Sequence, residues 1–183
     1  MDRIIPSEGI DVGSTPTGNT MAKNIKIIVI GTSLTGKTTL VKHLRKTQKV
    51  KVSEIDEELT KLNGGTFPTD DKQKTEVLAP IVISELLENE EIIFFTNTDY
   101  FSPEDLKIAR MAGFKIVQLV LTKYEMEIRN TERIENEGYE DHSEWFDGML
   151  EYQKEIFNLG LVDLVIDAGM PTEEIAKELV NCH

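Results

Sequence analysis

Gly31-Thr32-Ser33-Leu34-Thr35-Gly36-Lys37-Thr38 matches the pattern G-x-x-x-x-G-K-[ST] at every fixed position. The residues on either side give the match a structural context. Before it, Ile25, Ile27, Ile28, Val29 and Ile30 form a short β-branched run, the pattern of a strand buried on both faces. After it, Thr39-Leu40-Val41-Lys42-His43-Leu44 has helical spacing, which predicts a helix over 38–46. A loop between such a strand and helix gathers backbone N–H groups and a helix N-terminus around one anion. Gly31 and Gly36 permit backbone angles and a close approach that a Cβ would block. Lys37 adds a point charge at β- and γ-phosphates, and the Thr38 hydroxyl is suited to Mg²⁺. The candidate nucleotide site is therefore Gly31, Thr32, Ser33, Leu34, Thr35, Gly36, Lys37, Thr38 and Thr39. The bland alternative, a chance match on a strand–turn–helix connection, has to explain motif, strand, helix and position together.

Further along the chain the same alternation continues. Val50–Ser53, Ile92–Thr96, Phe114–Leu121 and Val162–Ile166 read as strands. Helical periodicity covers 76–87, 103–111, 124–135, 144–159 and 172–180. Alternating strands and helices imply right-handed crossovers and a parallel sheet covered on both faces, a three-layer α/β sandwich. Pro80 falls inside the 76–87 segment and predicts a break there, or the start of a second half. Residues 1–22 are rich in Gly, Pro, Ser and Thr and read as a flexible tail before one domain over 23–183.

Composition restricts the partners. The 183 residues carry 33 acidic and 20 basic side chains, a formal charge of −13, with no clustered basic patch. Duplex nucleic acid and anionic membranes are polyanions and are poor partners for such a surface. Cys182 is the single cysteine, so an intrachain disulfide is impossible. No run reaches the ~18 apolar residues of a membrane span, and the first twenty residues lack a signal-peptide pattern, so the expectation is a cytoplasmic protein. The charge is uneven: between Tyr124 and Glu155, eleven acidic residues accompany only Arg129, Arg133 and Lys154.

On the phosphate loop, an acidic residue after the second strand and a paired-arginine helix after the fourth, the chain resembles the small P-loop kinases: nucleoside monophosphate kinases and their shikimate- and gluconate-kinase relatives. The resemblance covers most of 25–180 and implies a five-stranded sheet in the order 2-3-1-4-5. It implies transfer of the γ-phosphoryl of Mg-ATP to a nucleoside monophosphate or other small metabolite, by a monomer or homodimer using ATP and Mg²⁺. Within it, Asp56 would orient the acceptor hydroxyl or help hold Mg²⁺; as a helix cap it would have no part in chemistry, and the two roles are compatible. Arg129 and Arg133, four apart on one helical face, would clamp the transferring phosphoryl group. Their alternative is a pair of surface ion pairs, with Glu125 and with Glu137. The segment 57–90 would form the acceptor side, with 60–71 lining it, and 135–147 a short lid. Phe67 either stacks on a base or plugs the core; His142 is a solvated loop histidine; Trp145 and Phe146 pack against the next helix.

The chain departs from the family at two places. The carboxylate that usually ends the third strand is missing from Ile92-Ile93-Phe94-Phe95-Thr96-Asn97-Thr98-Asp99, which leaves Asp99 as a metal ligand from another position, or Thr96 and Asn97 as neutral ones. The phosphate loop has Ser33-Leu34 where Pro-Gly is usual. Two other functions compete. One is a GTPase-like switch, for which Leu121-Thr122-Lys123-Tyr124-Glu125 echoes a guanine-reading Thr-Lys-x-Asp; it lacks an Asp-x-x-Gly motif and leaves the arginines without a role. The other is a regulatory nucleotide-binding ATPase with weak phosphoryl transfer.

Overall fold

A computed structural model describes residues 24–98 and 100–182. The expected tail over residues 1–22 and Asp99 lie outside the described residues. Five strands, β1 (Lys26–Gly31), β2 (Val52–Glu54), β3 (Ile92–Thr96), β4 (Lys115–Val120) and β5 (Leu164–Asp167), form one sheet in the order β2-β3-β1-β4-β5. Every pairing is parallel, and β1 lies at the centre with Ile28 opposite Phe94 on one side and Ile116 on the other. Both the sheet order and the five strand positions agree with expectation.

The helices are α1 (Lys37–Thr47), α2 (Ile55–Leu62), α3 (Ala79–Leu87), α4 (Pro103–Met111), α5 (Lys123–Glu137), α6 (Phe146–Asn158) and α7 (Thr172–Asn181). Alternation along the strands divides the core into two layers. Ile27 and Val29 of β1, with Ile93 and Phe95 of β3, pack with Leu40, Leu44, Ile175 and Leu179 of α1 and α7. Ile28, Ile30, Ile92 and Phe94 face the opposite layer, with Leu59, Val82, Leu86 and Leu106 of α2, α3 and α4. Burial on both faces explains why β1 reads as a continuous apolar run.

Two elements differ from the sequence reading. Helix α2 is an independent helix: Ile55 and Leu59 are its buried residues, and Asp56, Glu57 and Glu58 occupy its first turn. Before Pro80, Gln73–Leu78 is a π-helical turn, and α3 begins at Ala79 with Pro80 in its first turn. The Ala79 N–H donates to the Lys74 carbonyl, five residues back. Proline has no N–H and crowds the carbonyl four residues before it, so the wider turn absorbs the register change that Pro80 imposes. Trp145 is 58% exposed while Phe146 is fully buried, so only one of the two aromatic residues joins the core. Phe67 is 40% exposed, under the Lys74 ammonium at 5.6 Å, and does not plug the core. Among the described residues no helix is long and apolar enough to cross a membrane.

Candidate active site

The phosphate loop leaves the end of β1, the central strand, and enters α1 through Gly36, whose φ of 77° lies in the left-handed region. A Cβ on Gly31 would come within 2.5 Å of Thr35 Oγ1 and 3.4 Å of the Lys37 side chain, so the turn closes only around glycine. Beneath the surface Thr35 Oγ1 donates to the Thr32 carbonyl at 2.8 Å, and Lys37 Nζ donates to the Gly31 and Thr32 carbonyls at 2.8 Å each. Thr32 and Thr35 are buried and hold the loop's shape, while Ser33, Leu34, Gly36, Lys37, Thr38 and Thr39 line the cleft above it. Tight glycine turns, a helix N-terminus and a lysine at its first residue form a cradle suited to a polyphosphate.

Leu34 occupies the position where glycine was expected and adopts a left-handed φ of 73°. Such a conformation costs a non-glycine residue about 1–3 kcal/mol unless its surroundings enforce it. Two contacts do so. The Leu34 side chain packs against the core, and its carbonyl accepts from Arg129 Nη1 at 2.9 Å. Arg129 Nη2 donates to the Ala168 carbonyl, also at 2.9 Å, so one guanidinium ties the phosphate loop to the loop after β5. The alternative reading of Arg129, a surface pair with Glu125, is absent from the ion pairs found among the described residues. Glu125 instead closes a capping box with Thr122 at the start of α5, and those hydrogen bonds hold its carboxyl below the usual range. That box also accounts for the Thr122-Lys123-Tyr124-Glu125 motif: its acid caps a helix.

One cleft of about 790 Å³ joins these groups. It is lined by Lys37, Thr38 and Lys42 of α1, by Glu54, Ile55, Asp56 and Asn97 from the ends of β2 and β3 and the start of α2, and by Arg129, Arg133 and Glu137 of α5 with Tyr139 just after it. The candidates Lys37, Thr38, Asp56, Arg129 and Arg133 thus share one space, although they come from positions 37 to 133 of the chain. Arg133 stacks on Tyr139 with 3.8 Å from its guanidinium carbon to the ring centroid, and its Nε lies 3.8 Å from a Glu137 carboxylate oxygen. The cap of α2 is Glu54, without a side-chain bond, so Asp56 is not the capping residue; it is exposed in the first turn. Of the neutral metal-ligand candidates, Asn97 lines the cleft, whereas Thr96 is fully buried and donates to the Asn97 carbonyl at 3.2 Å. Among the described residues no three His, Cys, Asp or Glu side chains gather into a metal site. A Mg²⁺ held mainly by phosphate oxygens needs only one or two protein ligands, which Thr38 and a neighbouring carboxylate suffice to provide.

The lid candidate 135–147 begins in the last turn of α5, continues through Gly138 with φ of 69°, and re-enters helix at Phe146. Buried Asn130 anchors it: its amide donates to Asp141 at 2.7 Å and accepts from the His142 N–H at 3.3 Å. The segment 60–71 contributes nothing to the lining of the main cleft.

Glu54 was not among the sequence candidates. It ends β2 and lines the cleft, and its only sequence signal is position, since ligands of parallel α/β sheets bind outside the carboxyl ends of strands. Burial raises its carboxyl above the usual value, as do the charges of Glu57 and Asp56, while Arg45 and Lys37 pull it back down. A raised carboxyl means that the folded chain holds a proton that the unfolded chain releases, so stability falls as pH rises from the ordinary carboxylate range through the folded pKa. Glu54→Gln is expected to raise the melting temperature at pH 7, the gain disappearing below about pH 4. Equal melting curves at pH 7, or a larger gain in acid, would contradict this electrostatic account.

A scan against models of known protein families finds no match, and a search of curated proteins finds no relative. Solved structures do match. Shikimate kinase from Bacteroides thetaiotaomicron superposes with a TM-score of 0.66 at 16% identity, covering 86% of this chain and 97% of that one. Shikimate kinase from Aquifex aeolicus gives 0.63 at 21% identity over 86% and 94%. A gluconokinase from Sinorhizobium meliloti gives 0.55 at 16% identity over 87% and 91%. The chain therefore has the fold of the small P-loop kinases.

Proposed function

We propose that this protein is a phosphotransferase that moves the γ-phosphoryl group of Mg-ATP to a hydroxyl of a small metabolite. The observation that carries the reading is the cleft itself: the phosphate cradle, the Asp56 carboxylate and two arginines open into one space. Similarity in fold to shikimate kinases and a gluconokinase supports it.

In this mechanism the loop amides and Lys37 hold the β- and γ-phosphates, and the Thr38 hydroxyl serves the metal. Mg²⁺, when bound, neutralises charge across the phosphate oxygens. Asp56 accepts the proton of the acceptor hydroxyl as its oxygen bonds to the γ-phosphorus and the bond from that phosphorus to the β–γ bridging oxygen breaks. Asp99 was a further metal-ligand candidate. Arg133 faces the charge on the equatorial oxygens. Arg129 keeps N–H groups beyond the two it gives to Leu34 and Ala168, and it fixes the loop that the phosphates rest on. The segment 135–147 excludes water over the reacting groups.

The two arginines are expected to separate kinetically. Arg133→Ala should lower kcat by about 10²-fold, the scale of removing one charge-stabilising donor, with little change in ATP affinity. Arg129→Ala should lower turnover and also, to a smaller extent, ATP affinity, because the Leu34 turn loses its brace. Thr131→Ala, an exposed change on the same helix, should be silent. Unchanged kcat in both arginine variants would reduce them to surface charges. The activity is tested by coupled ADP release across nucleoside monophosphates, shikimate, gluconate and nucleosides. Displacement of a fluorescent nucleotide by ATP better than by GTP is the expected base preference. Hydrolysis of ATP with no acceptor dependence would favour a regulatory ATPase.

A further inference from the structure

Helix α2 carries Asp56, yet the core holds little of it. Of its eight residues Ile55 and Leu59 are the buried ones, and its N-cap, Glu54, makes no side-chain capping bond. At about 100° per residue, Ile55 and Leu59 form one narrow stripe, Asp56 and Glu58 fall on its two flanks, and Glu57 falls on the outer face. A single stripe fixes how deep the helix sits but leaves its roll about its own axis weakly held. Rolling carries Asp56 across the cleft that it lines.

Two contacts oppose that roll. On one flank the buried Ser53 hydroxyl of β2 donates to Glu58 Oε1 at 2.5 Å. On the outer face the Arg45 guanidinium donates to both carboxylate oxygens of Glu57, from Nη1 to Oε1 at 2.8 Å and from Nη2 to Oε2. Arg45 Nε donates to the Val52 carbonyl of β2 at 3.0 Å.

Arg45 belongs to the last turn of α1, which packs on one face of the sheet, whereas α2 packs on the other. Between them β2 is the edge strand. One side chain thus reaches around the sheet edge, bonds to the edge strand on the way, and grips the opposite layer. The same helix α1 begins with Lys37 and Thr38, so the fork ties the residue beside Asp56 to the element that carries the phosphate cradle.

The Arg45 and Glu57 side chains are 39% and 45% exposed, and an exposed ion pair adds little to stability. A bidentate fork supplies geometry instead: two parallel N–H···O bonds fix the plane of the carboxylate as well as its distance, which a lysine ammonium does not.

We infer that Arg45 and Glu57 are positioning residues for the transfer step: their fork fixes the roll of α2 and so holds Asp56 in register with the phosphates on the loop. The inference rests on the phosphotransferase reading, with Asp56 as proton acceptor. Neither Arg45 nor Glu57 lines the cleft, so their effect passes through Asp56. Its scale follows from geometry, since misplacing a reacting group by about 1 Å costs on the order of 10²-fold in rate.

The experiment uses the full chain and the acceptor that coupled ADP release identifies. Glu57→Gln and Arg45→Lys are compared with wild type in Mg-ATP affinity by calorimetry, in kcat and in melting temperature, and Glu57→Gln is also combined with Asp56→Asn. Mg-ATP affinity is expected within ~3-fold of wild type, while kcat falls by ~10-fold or more in each single variant. Arg45→Lys keeps the charge, so its loss marks the fork. In the Asp56→Asn background, Glu57→Gln is expected to cost less than ~2-fold further, because the two residues act as one unit. A lower melting temperature with wild-type kcat would overturn the inference and leave the kinase reading intact. An equal loss from Glu57→Gln with and without the Asp56 carboxylate would overturn it too, because the effect would then bypass Asp56. Wild-type protein that binds Mg-ATP and transfers to no acceptor would overturn the phosphotransferase reading, and the inference with it.

Discussion

Replacing Lys37 with alanine is expected to weaken Mg-ATP binding at least ~30-fold and to remove measurable turnover. Lys37 is the first residue of α1 and lines the cleft, and its ammonium already reaches the Gly31 and Thr32 carbonyls at 2.8 Å. On the proposed mechanism the same charge meets the β- and γ-phosphates. Truncating a charged donor at a desolvated anion costs about 2–5 kcal/mol, which is a factor of roughly 30 to several thousand. Part of any loss comes from the loop, because alanine removes one donor each from the Gly31 and Thr32 carbonyls, of which Thr32 keeps the Thr35 hydroxyl, and a buried carbonyl left without a donor costs about 1–3 kcal/mol. Two controls separate the causes. Lys42→Ala, an exposed cation on the same cleft, should retain most affinity, and the melting curve of Lys37→Ala reports whether the fold survives. Wild-type Mg-ATP affinity in a folded Lys37→Ala protein would remove the basis for a nucleotide site here.

The second large effect is expected at Asp56. Asp56→Asn keeps shape and removes the proton acceptor, so kcat should fall by about 10²–10⁴-fold, with ATP affinity within ~3-fold of wild type. Its structural cost is small: Asp56 lies in the first turn of α2, where losing one negative charge from a helix N-terminus costs about 0.3–1 kcal/mol. A helix-only role predicts the reverse pattern, a small loss of stability with kcat unchanged. That outcome would move the proton acceptor elsewhere, with Glu54 as the nearest cleft carboxylate by chain position.

Much of this architecture was legible in the sequence because burial writes itself into residue pattern. The run from Ile27 to Ile30 is apolar on both faces because helices cover both faces, and Gly31 and Gly36 stand where the loop admits no side chain or needs a left-handed turn. Arg129 and Arg133 were legible as one helical face. Glu137 beside Arg133 was legible as the acid four residues on, but the partners of Arg129 were not: Leu34 and Ala168 accept through backbone carbonyls, which every residue has, so nothing in their identity points to Arg129. Helix α2 was legible only as the helix that Asp56 would cap, and not among the periodic segments. Only Ile55 and Leu59 are buried in it, too few for a periodic signal, and its acidic first turn hinted at a helix start without fixing where it lay. The left-handed Leu34 runs against residue preference and depends on tertiary contacts to enforce it. Phe67 and Trp145 show the limit of hydrophobicity as a guide, since both aromatic rings remain substantially exposed.

The most direct test follows the phosphorus atom. Phosphorus NMR of the protein with Mg-ATP and each candidate acceptor, shikimate, gluconate and nucleosides among them, should show the γ resonance replaced by a phosphomonoester on a carbon-bound hydroxyl, in step with ADP. ADP formed only together with inorganic phosphate, whatever acceptor is present, would contradict phosphoryl transfer.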